Sequence, residues 1–165
     1  MCLIFSVWFL NSDMALSGKV STELEIQATA AKFFNLFVER LHHFQNILDT
    51  IHETKLHEGD DWHDTRSVKH WTYTIDGKVT TCKEKIEVVD VEKKLITFKL
   101  FDGDVGKQYK VLKFHLQVND KDGGGSVVKW TYEYEKVNED VAAPYSYLEF
   151  GAKATKDIDA HLLQA

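Results

Sequence analysis

The chain has 165 residues, of which 44% are hydrophobic and 28% charged, and its formal net charge is −6 at pH 7. This length suits one domain with a substantial core, and the composition is that of an ordinary globular protein. An acidic balance argues against partners with phosphate surfaces, namely nucleic acids and anionic membranes. Two cysteines are too few for a domain held by disulfides. We therefore expect a reducing, cytoplasmic location.

The first thirteen residues, MCLIFSVWFLNSD, differ from the rest of the chain. Their apolar run, from Cys2 to Leu10, has neither the preceding basic residue nor the following cleavage site of a signal peptide. It is also too short to span a bilayer, so we expect no membrane insertion. Met14 opens a second, more conventional start. We predict that residues 1–13 are an upstream-start extension or a disordered leader, and that residues 14–165 form the domain.

The domain pattern begins with a strand and two helices. Apolar and polar residues alternate from Val20 to Ile26, which predicts a half-buried strand. Thr29 is placed to cap a helix that begins at Ala30. The apolar stripe of this helix recurs at three- and four-residue spacing and consists of Phe33, Phe34, Phe37, Val38 and Leu41. A second short helix is predicted over about residues 44–48.

Alternation of period two then predicts an antiparallel sheet with one solvated face. The clearest strands cover residues 67–74, 79–91, 96–100, 112–118 and 128–135. The turns between them are marked by Asp76-Gly77, Lys93-Lys94, Asp102-Gly103 and the DGGG of residues 122–125. In the second of these strands, one predicted side carries Cys82, Glu84, Ile86 and Val88. The order along the chain is one strand, two helices, about six strands and a long helix.

The long C-terminal helix is expected to begin near Pro144, the single proline. One face of it carries Tyr147, Phe150, Gly151, Ala154, Ile158 and Leu162. This helix has to cover the apolar face of the sheet. Small residues on the helix and large aromatic residues on the sheet leave space between the two if the sheet is strongly bent. Apolar space of that kind predicts a ligand pocket.

The densest polar stretch is HEGDDWHD, residues 57–64. Its histidines, His57 and His63, and the acids around them could hold a metal ion. They are six residues apart on a turn, however, which is not the spacing of a zinc site. We interpret the stretch as a solvated loop with Trp62 packed at its root, and we predict no metal and no cofactor.

Three stretches together resemble the major latex proteins, a plant branch of the Bet v 1 (birch pollen allergen) superfamily. They are LSGKVSTELEI, HEGDDWHDTRSVKHWTYTIDGK and TKDIDAHLLQA, and the resemblance covers about residues 16–165. It implies an α+β helix-grip (Bet v 1/START-like) fold. In that fold a seven-stranded antiparallel sheet surrounds a long C-terminal helix, two short helices form a V, and an internal hydrophobic cavity is enclosed.

The resemblance also implies a function. Members are mostly cytosolic, are linked to plant defence and stress responses, and bind hydrophobic small molecules such as phytohormones, steroids, flavonoids or lipids. The pathogenesis-related branch carries a glycine-rich, phosphate-type loop where this chain has HEGDDWHD. Only Gly59 remains of that pattern, and four acids in eight residues would repel a phosphate. Phosphate and nucleotide binding are therefore not expected.

The resemblance places two strand lines toward the interior, one through Arg66, Val68 and His70 and one through Cys82 and Glu84. Together with the other inward positions they give the predicted ligand-binding set: Phe37, Val68, His70, Cys82, Glu84, Ile86, Phe98, Leu100, Phe114, Leu116, Trp130, Tyr132, Tyr134, Tyr147, Phe150, Ala154 and Ile158. We expect this set to bind a hydrophobic small molecule. The protein itself is expected to be a monomer or weak dimer, with any protein partner unidentified.

His70 and Glu84 have three interpretations: a polar spot that orients a ligand, a buried hydrogen-bonded pair, or an acid–base pair. The resemblance also implies that a few relatives are enzymes of alkaloid biosynthesis, and those that catalyse condensations rely on a lysine inside the cavity. Here Lys113 and Lys129 fall on the outer face, which argues against that chemistry. Cys82 has no predicted base beside it and is interpreted as packing. We predict no catalytic residue. The alternatives are an isomerase or lyase of specialised metabolism that uses His70 and Glu84 for proton transfer, and a ligand-dependent regulator of a protein partner.

Overall fold

The computed structural model describes residues 15–164, and the predicted leader and Met14 lie outside this range. Seven strands and four helices follow one another in the expected order, apart from one additional short helix between the fifth and sixth strands. They are β1 (Ser17–Ile26), α1 (Ala30–Glu39), α2 (Phe44–Ile47), β2 (Ile51–Glu58), β3 (Val68–Ile75), β4 (Lys78–Asp90), β5 (Leu95–Phe101), α3 (Gly103–Gln108), β6 (Tyr109–Asp120), β7 (Ser126–Lys136) and α4 (Tyr145–Leu163). A short 3₁₀ turn, Leu41–His43, joins α1 to α2.

The strands form one antiparallel sheet in the order β1-β7-β6-β5-β4-β3-β2. Tight hairpins set much of its register. Asp76 and Gly77 both have positive φ, 52° and 72°, as a two-residue hairpin of the favoured twist requires. Ile75 therefore pairs with Lys78, and the rest of the β3–β4 ladder follows from that pair. The fold class predicted from the sequence is confirmed.

The apolar stripe of α1 and the capped start of that helix are also confirmed. The Thr29 hydroxyl accepts a hydrogen bond from the Lys32 backbone N–H at 3.3 Å. Phe33, Phe34 and Phe37 are buried against the core. This packing holds the helix against the sheet, where Phe37 contacts Trp130 of β7.

The long helix α4 lies across the sheet and packs most closely on β1 and β7. Its C-terminal half is anchored by Asp159, whose carboxylate accepts hydrogen bonds from the backbone N–H groups of Gln27 (3.0 Å) and Ala28 (2.9 Å). Within the part of the chain that the structure describes, no helix is long and apolar enough to cross a membrane.

Two local predictions were wrong. Val88 was placed on the inward side of β4 with Ile86, but a β-bulge between these two residues breaks the alternation and Val88 is 45% exposed. Asp102-Gly103 was predicted as a simple turn, but the chain continues into the short helix α3. Gly103 is required there, because it has a φ of +56° and a Cβ would come within 2.6 Å of the Thr81 carbonyl oxygen.

Candidate ligand-binding pocket

A pocket lies between the sheet and α4. Its cavity volume is about 120 Å³, counted as the space that the centres of water molecules could occupy. A single water needs only about 10–15 Å³ on that measure, so the pocket is large enough for a small molecule. Its wall comes from α1, α2 and α4, from the 3₁₀ turn, from the strands β2 to β7 and from the chain between α2 and β2.

The wall is almost entirely apolar and rich in aromatic rings. Phe37 of α1 contacts Phe44 and Trp130 edge to face, with ring centroids 4.8 Å and 5.7 Å apart. On the sheet, Phe114 meets Tyr132 edge to face at 4.6 Å. These contacts hold the rings at the rim of the space in the geometry that aromatic pairs prefer.

The helix wall is made of small residues where it comes closest to the sheet. A Cβ at Gly151 would overlap the Tyr132 hydroxyl, so a larger residue would push α4 away from β7. One turn further, Trp130 Nε1 donates to Thr155 Oγ1 at 2.9 Å, and the Thr155 hydroxyl donates to the Gly151 carbonyl at 2.7 Å. Ala154, between them, lines the pocket.

A buried charge pair lies at the β3–β4 side of the pocket. Glu84 lines the pocket, and its Oε2 accepts a hydrogen bond from Trp71 Nε1 at 2.5 Å. Lys69 Nζ is 3.4 Å from Glu84 Oε1, and the two side chains are 0% and 5% exposed. Burial raises the pKa of Glu84, while the Lys69 ammonium and the Trp71 N–H lower it in part.

Two tyrosines and a cysteine continue the polar part of the wall. The hydroxyl oxygens of Tyr73 and Tyr147 lie 2.5 Å apart and share a hydrogen bond between β3 and α4. Burial raises the pKa of both phenols and of the Cys82 thiol. The thiol therefore keeps its proton at neutral pH, which favours a packing role over a nucleophilic one.

Most of the predicted ligand-binding set lies on this pocket: Phe37, Cys82, Glu84, Phe98, Leu100, Phe114, Trp130, Tyr132, Tyr147, Phe150, Ala154 and Ile158. Three other members are buried but belong to the packed core away from the space, namely Ile86, Leu116 and Tyr134. This placement concerns geometry, and the binding role of the set stays a prediction.

Val68 and His70 were placed on the wrong face of β3. The buried line of this strand is Lys69, Trp71 and Tyr73. His70 lies opposite Lys83 on the outer face, whereas Lys69 lies opposite Glu84. The expected His70–Glu84 pair is therefore not formed, and the proton-transfer alternative loses one of its two groups.

The sequence reasoning also missed part of the wall. Those residues are Leu41, Phe44, Leu48, Ile51, Trp71 and Tyr73, whereas Gly151 lines the pocket on the helix face that was expected to leave space. Trp71 and Tyr73 were missed because the wrong face of β3 was assigned to the interior. Lys113 and Lys129 were correctly kept off the pocket, but Lys69, the buried lysine, was not identified.

The HEGDDWHD stretch runs from the end of β2 into the loop before β3. His63 Nε2 accepts a hydrogen bond from the Leu41 backbone N–H at 3.3 Å, and the Asp61 carboxylate accepts one from the His63 backbone N–H at 2.9 Å. Trp62 packs against the His42 ring with centroids 5.8 Å apart. Within residues 15–164, no group of three or more histidine, cysteine or acidic side chains is placed to hold a metal ion. The expectation of no metal stays a prediction.

Comparison with known proteins identifies the family. The chain matches the model of the Pathogenesis-related protein Bet v 1 family over residues 15–165. It is 49% identical over 151 residues to MLP-like protein 43 of Arabidopsis thaliana, and this alignment covers 90% of the chain and 95% of the relative. Major latex protein 146 of Papaver somniferum is 37% identical over 153 residues, with 89% of this chain and 92% of the relative covered.

A solved structure agrees with these relatives. The crystal structure of ginseng major latex-like protein 151 from Panax ginseng superposes with a TM-score of 0.84 at 39% identity, covering 90% of this chain and 99% of that one. The resemblance drawn from the sequence is thus confirmed over nearly the whole chain. The protein belongs to the pathogenesis-related Bet v 1 family, a family known for ligand binding, and its relatives there are major latex and MLP-like proteins.

Proposed function

We propose that this protein binds hydrophobic small molecules in the pocket between the sheet and α4. The observation that carries the proposal is the apolar space between the sheet and α4. Protein interiors are normally packed as densely as organic crystals, and voids larger than a water are few. The apolar cavity of about 120 Å³ is close in size to an engineered cavity of about 150 Å³ that binds benzene, and an apolar wall with a few polar groups is typical of small-molecule sites.

The ligand class we propose is that of phytohormones, steroids, flavonoids or lipids. The pocket supports this class because its wall is aromatic and aliphatic, with Glu84, Tyr73 and Tyr147 as the polar side chains that would orient a ligand. We also propose that the protein acts in plant defence or stress responses and is located in the cytoplasm. The pathogenesis-related description of the family supports the role in defence. The free, buried thiol of Cys82 is compatible with a cytoplasmic location.

The binding of an environment-sensitive apolar fluorophore tests the proposal. Wild-type protein should bind the probe at one or two saturable sites while its near-UV circular dichroism stays native, which separates pocket binding from binding to a loosened core. Ala154→Trp should abolish binding, because the indole would occupy the space beside α4. Ala160→Trp is the matched control, since Ala160 is exposed on the same helix, and it should leave binding intact.

Stability measurements decide between a pocket and a packed core. If Ala154 borders real space, the tryptophan should cost little stability or add some. If it packs tightly, the larger side chain should cost about 1–3 kcal/mol. A destabilised variant, together with a wild type that never binds the probe, would refute the proposal. A fluorescent fusion in plant cells, and transcript levels after pathogen challenge, test the location and the defence role separately.

A further inference from the structure

His63 connects the loop before β3 to the 3₁₀ turn that follows α1. Its Nε2 accepts a hydrogen bond from the Leu41 backbone N–H at 3.3 Å. The first N–H groups of a helical turn have no partner within the turn, and here the imidazole supplies one. An imidazole nitrogen accepts a hydrogen bond only while it carries no proton, and the ring is then neutral with its hydrogen on Nδ1. The contact therefore requires the neutral form of His63.

The turn that His63 holds forms part of the pocket wall. Leu41 and Phe44 both line the pocket, and both are buried. Trp62, the neighbour of His63 in the loop, lies against the His42 ring of the turn with ring centroids 5.8 Å apart. The loop and the turn are thus joined by one hydrogen bond and one ring contact. Separating them would loosen the wall at Leu41 and Phe44.

The groups around His63 determine how readily it takes up a proton. Asp61 of its own loop places Oδ1 3.6 Å from His63 Nδ1. The His42 ring faces it from the 3₁₀ turn, with centroids 6.2 Å apart, and Lys69 acts on it from β3. Burial lowers the pKa of His63, and the Asp61 carboxylate opposes this in part. His42 and Lys69 lower the pKa further. The closed contact therefore binds a proton more weakly than a solvated histidine does.

The turn itself has little capacity for another positive charge. Partial burial lowers the pKa of His42, and His43 and Arg40 lower it further. The His42 Nδ1 atom is buried and has no hydrogen-bond partner in residues 15–164. An imidazolium at position 63 would face this side of the turn directly. The nearest carboxylate, Asp61, is 69% exposed and would compensate the new charge only weakly.

We propose that the contact between His63 and Leu41 is a proton-operated latch: the neutral ring keeps the pocket wall closed, and protonation releases the wall and weakens ligand binding. In the imidazolium, Nε2 carries a hydrogen and faces the Leu41 N–H as a second donor, so the hydrogen bond is lost. In the released loop the ring is solvated, and its pKa returns toward the ordinary 6.5. The latch is therefore closed above about pH 6.5 and opens as the pH falls below that value. Its effect on a ligand rests on the proposed function, whereas the latch itself does not.

Fluorophore binding at different pH values tests the effect on the pocket. The probe is N-phenyl-1-naphthylamine, which stays neutral over the range used, and near-UV circular dichroism checks that the fold stays native. The Kd of the wild type should rise at least about threefold from about pH 7.5 to about pH 5, because the closed fraction is the one that binds tightly. His63→Gln should bind equally at both ends, since its amide oxygen can accept from Leu41 but does not titrate. His57→Gln is the matched control, an exposed histidine of the same stretch, and should keep the wild-type dependence.

Hydrogen exchange of the Leu41 amide, followed by NMR without any probe, measures the latch directly. After correction for the intrinsic pH dependence of exchange, the protection factor of this amide in the wild type should fall at least about threefold over the same range. It should stay constant in His63→Gln. In His63→Ala, which has no acceptor, it should have the low value at both ends of the range.

The outcomes separate the latch from the function of the pocket. Leu41 protection that does not change with pH would overturn the latch. A pH dependence that persists in His63→Gln would also overturn it, since it would come from another group, such as Glu84 at the pocket wall. Protection that falls while the affinity stays constant would overturn the effect on the ligand. If the probe binds at no pH, the proposed function fails, and Leu41 protection alone then decides the latch.

Discussion

Replacing Lys69 with methionine removes the ion-pair partner of Glu84 inside the protein. The two side chains are 0% and 5% exposed, so water cannot take the place of the lost partner. Breaking a buried pair in this way costs about 3–5 kcal/mol. Glu84→Gln should cost a similar amount, because it leaves the Lys69 ammonium uncompensated while the Trp71 hydrogen bond survives. Each loss is a large part of the ~5–15 kcal/mol that stabilises a typical domain.

The loss in Lys69→Met should depend on pH. Burial already raises the pKa of Glu84 above its ordinary 4.5, and without Lys69 it should rise further. A raised folded-state pKa means that the folded protein binds the proton more tightly than the unfolded chain. The penalty is therefore absent below about pH 4.5 and grows as the pH rises toward the folded-state pKa. The pKa of His63 is lowered mainly by burial and only to a smaller extent by Lys69, so removing Lys69 adds a small contribution of the same sign.

Urea unfolding followed by far-UV circular dichroism measures these free energies, provided that the m-value stays constant. The double variant, Lys69→Met with Glu84→Gln, should cost less than about 2 kcal/mol, well below the two single losses added together. His70→Ala, on the outer face, should stay within about 0.5 kcal/mol of wild type. Single losses below about 1 kcal/mol, or a double loss equal to their sum, would show that the pair is not buried as described.

Three further predictions concern α4 and the polar loop. Gly151→Ala should lower the melting temperature, at a cost of about 1–3 kcal/mol, because its Cβ would overlap the Tyr132 hydroxyl; adding Tyr132→Phe should restore part of the loss, and an unchanged melting temperature would contradict the close approach. Thr155→Val should cost about 1–3 kcal/mol in urea unfolding, because Trp130 Nε1 loses its buried acceptor; a neutral result would mean that water replaces the hydroxyl. Treatment with a chelator should change neither stability nor fluorophore binding, and stoichiometric zinc that survives dialysis but is lost in His63→Ala would refute this.

The sheet could be predicted because the sequence shows both the turn residues between strands and the alternation of polar and apolar residues along them. Asp76-Gly77 allows positive φ at both positions, and the hairpin formed where the pair stands. Val88 escaped prediction because a bulge adds one residue to a strand without any mark in the pattern. The short helix α3 was missed for a related reason, since Asp102-Gly103 is a turn signal that does not say how the chain continues.

The inward face of β3 was harder to predict from the sequence, because both sets of alternate residues in this strand mix polar and apolar side chains. One alternating line contains a lysine and two aromatic residues, Lys69, Trp71 and Tyr73. The other line contains Val68 and His70, and either line could have faced the interior. The hairpin holds the information that decides between them. Counting outward from the turn pairs Ile75 with Lys78 and Lys69 with Glu84, and directly opposed residues share a face. Because Lys69 lies opposite Glu84, assigning Glu84 to the interior also assigns Lys69 to the interior.

The space beside α4 follows from how the helix is fixed. Asp159 and the Trp130–Thr155 hydrogen bond tie it to the chain just after β1 and to β7 on one side. On the other side, Tyr73 and Tyr147 share a hydrogen bond between their hydroxyl groups, which links β3 to the helix. Between these attachments the helix presents Gly151 and Ala154 to the pocket, and these small side chains reach only a short way toward the sheet. The space therefore lies where small residues of the helix face the aromatic residues of the sheet, and the hydrogen bonds on both sides keep the helix in that position.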